Sequence, residues 1–315
     1  MSFNELYEKE LAYQTDRRRA TVEFIRIISD LWYDNTVELV LFRNQLIDRN
    51  VSEILNLVEY ASDFVQKPIS VFDAVEIARE IKNLQLPPSK IDIGKLVYEF
   101  HLDKNQHSFS DFVLERLEGA NNVNLIEPKD VVLFGFGRIG RLLARELMAR
   151  TGKGNLMRLR AIVTRDEITE AILEKRASLL RCDSVHGDFH GTVSVDFDKK
   201  ALLINGTTVH IIKANAPEEI DYTSYGIFDA LVIDNTGAYR DKEALSRHLK
   251  SKGISKVLLT APGKGVPNIV YGINHKEYDP KKVDIFSAAS CPTNAITVGD
   301  WNDIKSMVRK SSDDK

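Results

Sequence analysis

Cysteine is scarce in this chain: Cys182 and Cys291 are the only two. Two cysteines cannot build a disulfide framework, and they lack the spacing of a metal site. No metal is expected, and a reducing, cytoplasmic location follows. Long apolar runs are also missing. None approaches the ~20 residues of a membrane span. The opening MSFNELYEKELAYQ is too acidic and polar for a signal peptide. No membrane partner is therefore expected. Neither sign of charge dominates. With 43 Lys and Arg against 46 Asp and Glu, the net charge is −3, which gives no reason to expect a nucleic-acid partner. Glycine is nearly absent from the first 120 residues, where only Gly94 and Gly119 occur, against fifteen in the remainder. A turn-rich fold is thus excluded from the first part and expected in the second.

What is present is enough for real cores: 43% of the 315 residues are hydrophobic. At roughly 100–200 residues per domain, two domains fit. In the first part Val22, Ile25, Ile28 and Leu31 recur at helical spacing, with Phe24, Ile27 and Trp32 alongside. Val37–Phe42 is rich in β-formers but lies in a helical neighbourhood. Val51–Phe64 reads as a helix. Ser70 is placed to cap another over Val71–Leu84, which Pro87-Pro88 ends because neither proline can continue it. Ile91–Phe100 and Phe109–Leu117 read as two further short helices. Arg17–Arg19 reads as a solvated helix face rather than a ligand contact. Asn121–Asn124 and Pro128 suggest a linker.

The second part is organised around VVLFGFGRIGRLLARELMAR, residues 131–150. Val131–Phe134 predicts a buried parallel strand. Gly135, Gly137 and Gly140 follow as G-x-G-x-x-G, and Leu142, Leu143, Leu147 and Met148 continue at helical spacing. Strand, glycine turn and helix together are the context of a dinucleotide-binding fingerprint. Gly135 permits the tight turn, Gly137 lets backbone approach a pyrophosphate, and Gly140 lets helix and strand pack closely. The N–H groups of the first helical turn then face the phosphates.

Leu159–Thr164 predicts the next parallel strand. A ribose-binding carboxylate is expected about 20 residues past the glycines, whereas an arginine there suits a 2′-phosphate. The strand ends Thr164-Arg165-Asp166. Arg165 favours NADP, and Asp166, one residue on, keeps NAD open. Val193–Phe197, Ala201–Ile204 and Thr208–Lys213 alternate as short strands, with a hairpin signal at Asn205-Gly206. Ala230–Asp234 is a further buried strand, followed by Asn235-Thr236-Gly237 and a helix over Arg240–Lys252. Val257–Thr260, Asn268–Ile273 and Val283–Ser287 complete the expected strands. Cys291 closes the last one and opens a helix, with Ser290 and Thr293 offering capping oxygens. A helix N-terminus lowers a thiol's pKa and favours the nucleophilic thiolate. On its residues alone Cys291 is equally a small buried hydrophobe. Cys182 has no such context and reads as structural.

Taken together, GFGRIGR (135–141), DSVHG (183–187), NTG (235–237), APGKG (261–265), GINHKEYDP (272–280) and ASCPTNA (289–295) resemble the glyceraldehyde-3-phosphate dehydrogenase family over residues 129–298. DRRRATVEFI, LWYDNTVELVLFRNQLIDR and PPSKIDIGKLVYEF resemble the N-terminal helical extension of long bacterial members. The resemblance implies phosphorylating, NAD(P)-dependent oxidation of an aldehyde through a cysteine thioester. Cys291 matches the nucleophile. Gly135, Phe136, Gly137, Arg138 and Ile139 match the pyrophosphate loop. Arg165 falls where NAD-type members carry the ribose aspartate, and Thr236 and Gly237 match the segment beside the nicotinamide. Ser290 and Thr293 match neighbours of the nucleophile on the substrate side. The implied partners are a small aldehyde phosphate and inorganic phosphate, with a homo-oligomer in the full-length form.

Three departures stand out. Pro292 replaces the threonine that follows the family's cysteine and has neither hydroxyl nor N–H to offer an anion. Asn235 replaces a serine. None of the seven histidines follows Cys291, where the family's catalytic base lies. The expected fold class is α/β: a Rossmann-type parallel-sheet nucleotide-binding domain preceded by an all-α N-terminal domain. The expected boundaries are 1–125 for the helical extension, 126–298 for the NAD(P)-binding domain and 299–315 for a polar tail, with the catalytic domain missing and activity low or absent. Two other readings are an NAD(P)-binding module carrying a helical interaction domain, and an erythrose-4-phosphate dehydrogenase.

Overall fold

The computed structural model describes residues 3–63, 65–103, 108–120 and 127–298. They form two compact units, one of residues 1–127 with 152–156, the other of residues 128–151 with 157 onward. The expected linker at Asn121–Asn124 and the tail 299–315 lie outside the described residues.

The first unit opens with α1 (Phe3–Asn35). Its one apolar stripe buries Phe24, Ile27, Ile28 and Leu31, the helical spacing that the sequence shows. There follow β1 (Val37–Leu41), β2 (Asn44–Gln45), α2 (Val51–Asp63), α3 (Val71–Asn83), β3 (Ser89–Asp92), α4 (Ile93–Leu102) and α5 (Phe109–Arg116). Ser70 caps α3 by accepting from the Phe72 N–H at 3.1 Å. The buried face of α3, including Ala74, Ile77, Ala78 and Ile81, joins the α1 stripe in one core. The unit is helical but not purely so. β1 pairs antiparallel with β2 and parallel with β3 to make a three-stranded sheet. The β-rich composition of Val37–Phe42 is expressed because Val37, Leu39 and Leu41 are buried in the helical core. Asp92 joins sheet to helix, accepting from Phe42 N–H at 3.0 Å and capping α4 at Lys95 N–H, 3.1 Å. The start expected for α4 at Ile91 is consumed by β3. On α1, Arg17 meets Gln14 and Glu59, and Arg19 meets Asp16.

The second unit runs β4 (Lys129–Phe134), α6 (Arg138–Ala149), β5 (Met157–Thr164), α7 (Glu170–Arg181), β6 (Cys182–Asp183), β7 (Gly187–Asp188), β8 (Val193–Asp196), β9 (Ala201–Ile204), β10 (Thr207–Lys213), β11 (Ala230–Asp234), α8 (Lys242–Ser246), β12 (Ile254–Leu259), β13 (Ile285–Ser287) and α9 (Cys291–Val298). Its main sheet has the order β13-β12-β11-β4-β5-β10-β9-β8. The first six strands are parallel and the last two antiparallel. Strand order reverses between β4 and β11, which is the switch point of a doubly wound sheet. β4 shows why both faces are covered. Val131 and Leu133 enter a core with Ala144 and Leu147 of α6 and Leu173 of α7, while Val132 and Phe134 enter another with Tyr222, Ile227 and Leu245.

Two expected elements differ. Arg240–Lys252 is not one helix: α8 stops at Ser246 and a tighter 3₁₀ turn spans Arg247–Lys250. Asn268–Ile273 is not a strand beyond a single bridge from Asn268 to Ser287. The Asn274 side chain instead accepts from the Val270 N–H at 2.8 Å and donates to the Asn268 carbonyl at 3.0 Å, which holds that backbone in turns.

Candidate functional site: a dinucleotide cradle at the switch point

Four of the loops singled out in the second part leave the C-terminal ends of parallel strands. The glycine turn follows β4, Arg165 follows β5, Asn235-Thr236-Gly237 follows β11, and Cys291 follows β13. Parallel pairing places these ends on one edge of the sheet, where open α/β sheets bind ligands.

The glycine turn is explained by what surrounds it. Gly135 sits at φ +102°, and a Cβ there would come within 2.9 Å of Thr236 Cγ2. A Cβ on Gly140 would stand 2.3 Å from the Gly135 carbonyl oxygen. Gly137 is different: nothing lies within 4 Å of where its Cβ would be. It is the N-cap of α6 and supplies no side-chain cap. An open face over an uncapped helix N-terminus is the arrangement that receives a phosphate. Phe136 is 4% exposed and packs in the core, so it offers a ligand only its backbone. Arg138 and Ile139 are exposed at the start of α6.

Behind the turn stands a polar framework that the sequence reading did not find. Asp183, in the small β6–β7 hairpin, accepts the Val185 and His186 N–H groups at 3.0 and 3.1 Å. His186 Nδ1 is 3.1 Å away, and Arg141 and Arg138 approach at 3.4 and 3.9 Å. The two backbone donors and the His186 ring hold its carboxyl well below the usual range. DSVHG was the signal available, since an aspartate two and three residues before free N–H groups is a turn-forming pattern. Arg141 Nε and Arg176 Nε are buried without a hydrogen-bond partner in the described structure.

On the β11 side, Asp234 is fully buried. Its Oδ1 accepts the Thr236 N–H and hydroxyl at 2.8 and 2.7 Å, and His248 Nε2 lies 2.9 Å from Oδ2. This fixes the turn carrying Thr236 and Gly237, the latter at φ +66°. Asn235 donates to the Ile233 carbonyl, and its Oδ1 is buried and unpartnered.

At the end of β5, Arg165 is exposed. Asp166 is held by Arg176 of α7, which also reaches the Phe136 carbonyl at 3.4 Å and Thr164 Oγ1 at 3.5 Å. Cys291 is exposed at the first position of α9. Ser290 accepts the Thr293 N–H at 3.1 Å and shares a 2.6 Å hydroxyl contact with Thr293. Both candidate substrate hydroxyls are thus engaged in capping the helix that presents the thiol. Ala289 just before them is at φ +59°, a strained value for a non-glycine residue. Cys182, read as structural, is exposed in the β6–β7 hairpin rather than packed. Among the described residues no group of three or more His, Cys, Asp or Glu could hold a metal, and no helix is long and apolar enough to cross a membrane.

The sheet order, switch point and glycine cradle define a doubly wound dinucleotide-binding domain. The comparisons name its kind. Residues 129–242 match the family model described as glyceraldehyde 3-phosphate dehydrogenase, NAD binding domain. A glyceraldehyde-3-phosphate dehydrogenase-like protein of Pseudomonas aeruginosa is 46% identical over 280 residues, covering 86% of this chain and 60% of the relative. A glyceraldehyde-3-phosphate dehydrogenase 1 of Agaricus bisporus is 36% identical over 169 residues, 54% of this chain and 46% of the relative. One from Chlamydia pneumoniae is 33% identical over 167 residues, 53% and 46% respectively. The chain therefore spans between about half and three fifths of the length of these relatives.

Proposed function

We propose that this chain binds NAD or NADP at the Gly135–Ile139 turn, and that it serves phosphorylating aldehyde oxidation of the glyceraldehyde-3-phosphate type. The observation that carries this reading is the uncapped N-terminus of α6 behind the open Gly137 face, on the same sheet edge as the exposed Cys291. The α6 N–H groups hold the pyrophosphate, Thr236 and Gly237 line the nicotinamide side, and Arg165 faces the adenosine ribose.

In this reading the Cys291 sulfur adds to the aldehyde carbon of a small aldehyde phosphate, giving a thiohemiacetal. A bound nicotinamide would supply the acceptor for the hydride of that carbon; the hydroxyl proton passes to water, and a thioester remains on Cys291. Inorganic phosphate then attacks the thioester carbonyl, releasing an acyl phosphate and restoring the thiol. Covalent catalysis of this kind divides one difficult step into two. Ser290 and Thr293 support it by fixing the start of α9. No titratable side chain is hydrogen-bonded to Cys291 among the described residues, so we expect the chain by itself to bind cofactor and to turn over slowly or not at all. Loss of a general base commonly lowers rates by about 10²–10⁴-fold.

The test is calorimetric titration of the purified chain with NAD⁺ and NADP⁺. A dehydrogenase assay follows, using glyceraldehyde 3-phosphate or erythrose 4-phosphate with phosphate. Saturable binding weakened by Gly137→Val supports the binding reading. A rate abolished by Cys291→Ser supports the thiol chemistry and replaces the expectation of low turnover. Absence of binding in a folded sample refutes the reading.

A further inference from the structure

The pair Arg176–Asp166 bears on which nucleotide the cradle selects. A carboxylate at the end of the second strand of a doubly wound sheet ordinarily accepts a ribose 2′-hydroxyl, and the same charge repels a 2′-phosphate. Here Asp166 occupies that neighbourhood, but its Oδ2 is engaged by Arg176, which offsets its charge. Arg176 reaches it from α7, and the Arg176 side chain is 17% exposed against 36% for Asp166. The arginine is anchored on three elements: it also donates to the Phe136 carbonyl of the glycine turn and to Thr164 Oγ1 of β5. Asp166 is secured from its own side, its N–H donating to Thr164 Oγ1 at 3.3 Å. Glu167, the next carboxylate, is paired with Lys213. Among the described residues, what has no carboxylate partner at this corner is the exposed cation of Arg165, beside the unpartnered Nε of Arg176.

Resting on the reading that this edge binds a dinucleotide, we propose that Arg176 is the specificity-determining residue of the site. By taking Asp166 into an ion pair it withdraws the carboxylate from the ribose, and with Arg165 it selects nucleotides bearing a 2′-phosphate. Arg165 is the residue that meets the phosphate, and Arg176 acts through Asp166. Hydrogen bonds between arginine and phosphate are charge-assisted and about twice as strong as neutral ones, so the preference is large enough to measure.

The experiment is isothermal titration of the whole chain with 2′,5′-ADP and 5′-AMP, with the ratio of their dissociation constants as the readout. We expect the unmodified protein to bind 2′,5′-ADP about tenfold more tightly or better, the worth of one such contact. Arg165→Gln removes most of that ratio. Arg176→Gln frees the carboxylate and also lowers the ratio, by about tenfold, while 5′-AMP binding is retained or improved. Asp166→Asn raises the ratio, since it removes the carboxylate that Arg176 must neutralise and frees that cation for the phosphate, and it serves if Arg176→Gln does not fold. The proposal is overturned if Arg176→Gln weakens both ligands by the same factor, which marks a purely structural strut. It is also overturned if Asp166→Asn weakens 5′-AMP by about tenfold or more, which marks Asp166 as the ribose ligand. If a folded sample binds neither probe, the dinucleotide-binding reading itself fails, and this one with it.

Discussion

His248 Nε2 lies 2.9 Å from Asp234 Oδ2, and neither side chain is more than 1% exposed. The rings of Phe134 and Tyr239 stand edge-on to the imidazole at centroid distances of 4.8 and 5.6 Å. The other Asp234 oxygen holds Thr236, so this pair anchors the turn beside the glycine cradle. Removing the imidazole leaves a buried Asp234 oxygen without its partner. His248→Ala is therefore expected to cost on the order of 3 kcal/mol in urea denaturation. His248→Gln, which keeps an N–H donor, should recover part of the loss. A cost within about 0.5 kcal/mol, as for an ordinary surface change, would show that Thr236 alone satisfies Asp234.

Gly137 and Gly140 should separate binding from folding. A Cβ on Gly137 meets nothing within 4 Å, whereas one on Gly140 meets the Gly135 carbonyl oxygen at 2.3 Å. Gly137→Ala is expected to change unfolding stability by no more than about 1 kcal/mol yet to weaken NAD(P) binding, because its methyl enters the phosphate face. Gly140→Ala should destabilise by about 2 kcal/mol or more, since backbone must shift to admit it. Chemical denaturation read beside calorimetric titration checks both. Equal stability losses would remove the distinction.

The two thiols should differ in how their neighbours govern them. A hydrogen bond to Asp188 and the charge of that carboxylate push the Cys182 thiol pKa upward. At neutral pH less of it is thiolate, so alkylation of Cys182 should lag behind that of a free thiol such as glutathione, despite its exposure. Asp188→Asn should raise the rate. Iodoacetamide labelling followed by peptide mass spectrometry reads this directly, and an unchanged rate in the variant would contradict the assignment.

Asp183 gives the domain an acid limit. Its folded-state pKa is depressed by the Val185 and His186 donors. Its contribution to stability is therefore complete above the ordinary aspartate pKa of about 3.9. That contribution is lost as pH falls from there through the folded value. Asp183→Asn should lower the melting temperature at pH 7, and the gap from the unmodified protein should close below about pH 4. A gap constant from pH 7 to pH 3 would show that the loss is one of packing rather than charge. Calorimetric scans across that range decide the matter.

Local patterns carried most of the elements. Ser70 announced α3, and Pro87-Pro88 its end. The G-x-G-x-x-G between β4 and α6 announced the cradle, and Asn205-Gly206 the β9–β10 hairpin, because each of these signals acts within a few residues of backbone. The parallel pairing of Val37–Val40 with Ser89–Asp92 was not legible, since strands 52 residues apart are joined only by the core they share. The irregular Asn268–Ile273 stretch was misread because the Asn274 side chain, which accepts from the Val270 N–H and donates to the Asn268 carbonyl, sets that backbone rather than the apolar pattern.

The same division runs through the site. By itself the sequence determined where a glycine turn between strand and helix, an arginine at the end of β5 and a thiol at the start of a helix lie, because spacing along the chain fixes those. Only the tertiary structure decided what stands behind them. Arg176 comes from α7 to claim Asp166, Arg141 reaches Asp183 from α6, and His248 crosses from beyond α8 to reach Asp234. Each of these partnerships joins side chains from different elements. The physical reason is the same in every case: a buried or half-buried charge must find a partner once the sheet and helices close over it. Which partner it finds is a property of the packing and not of the order of residues.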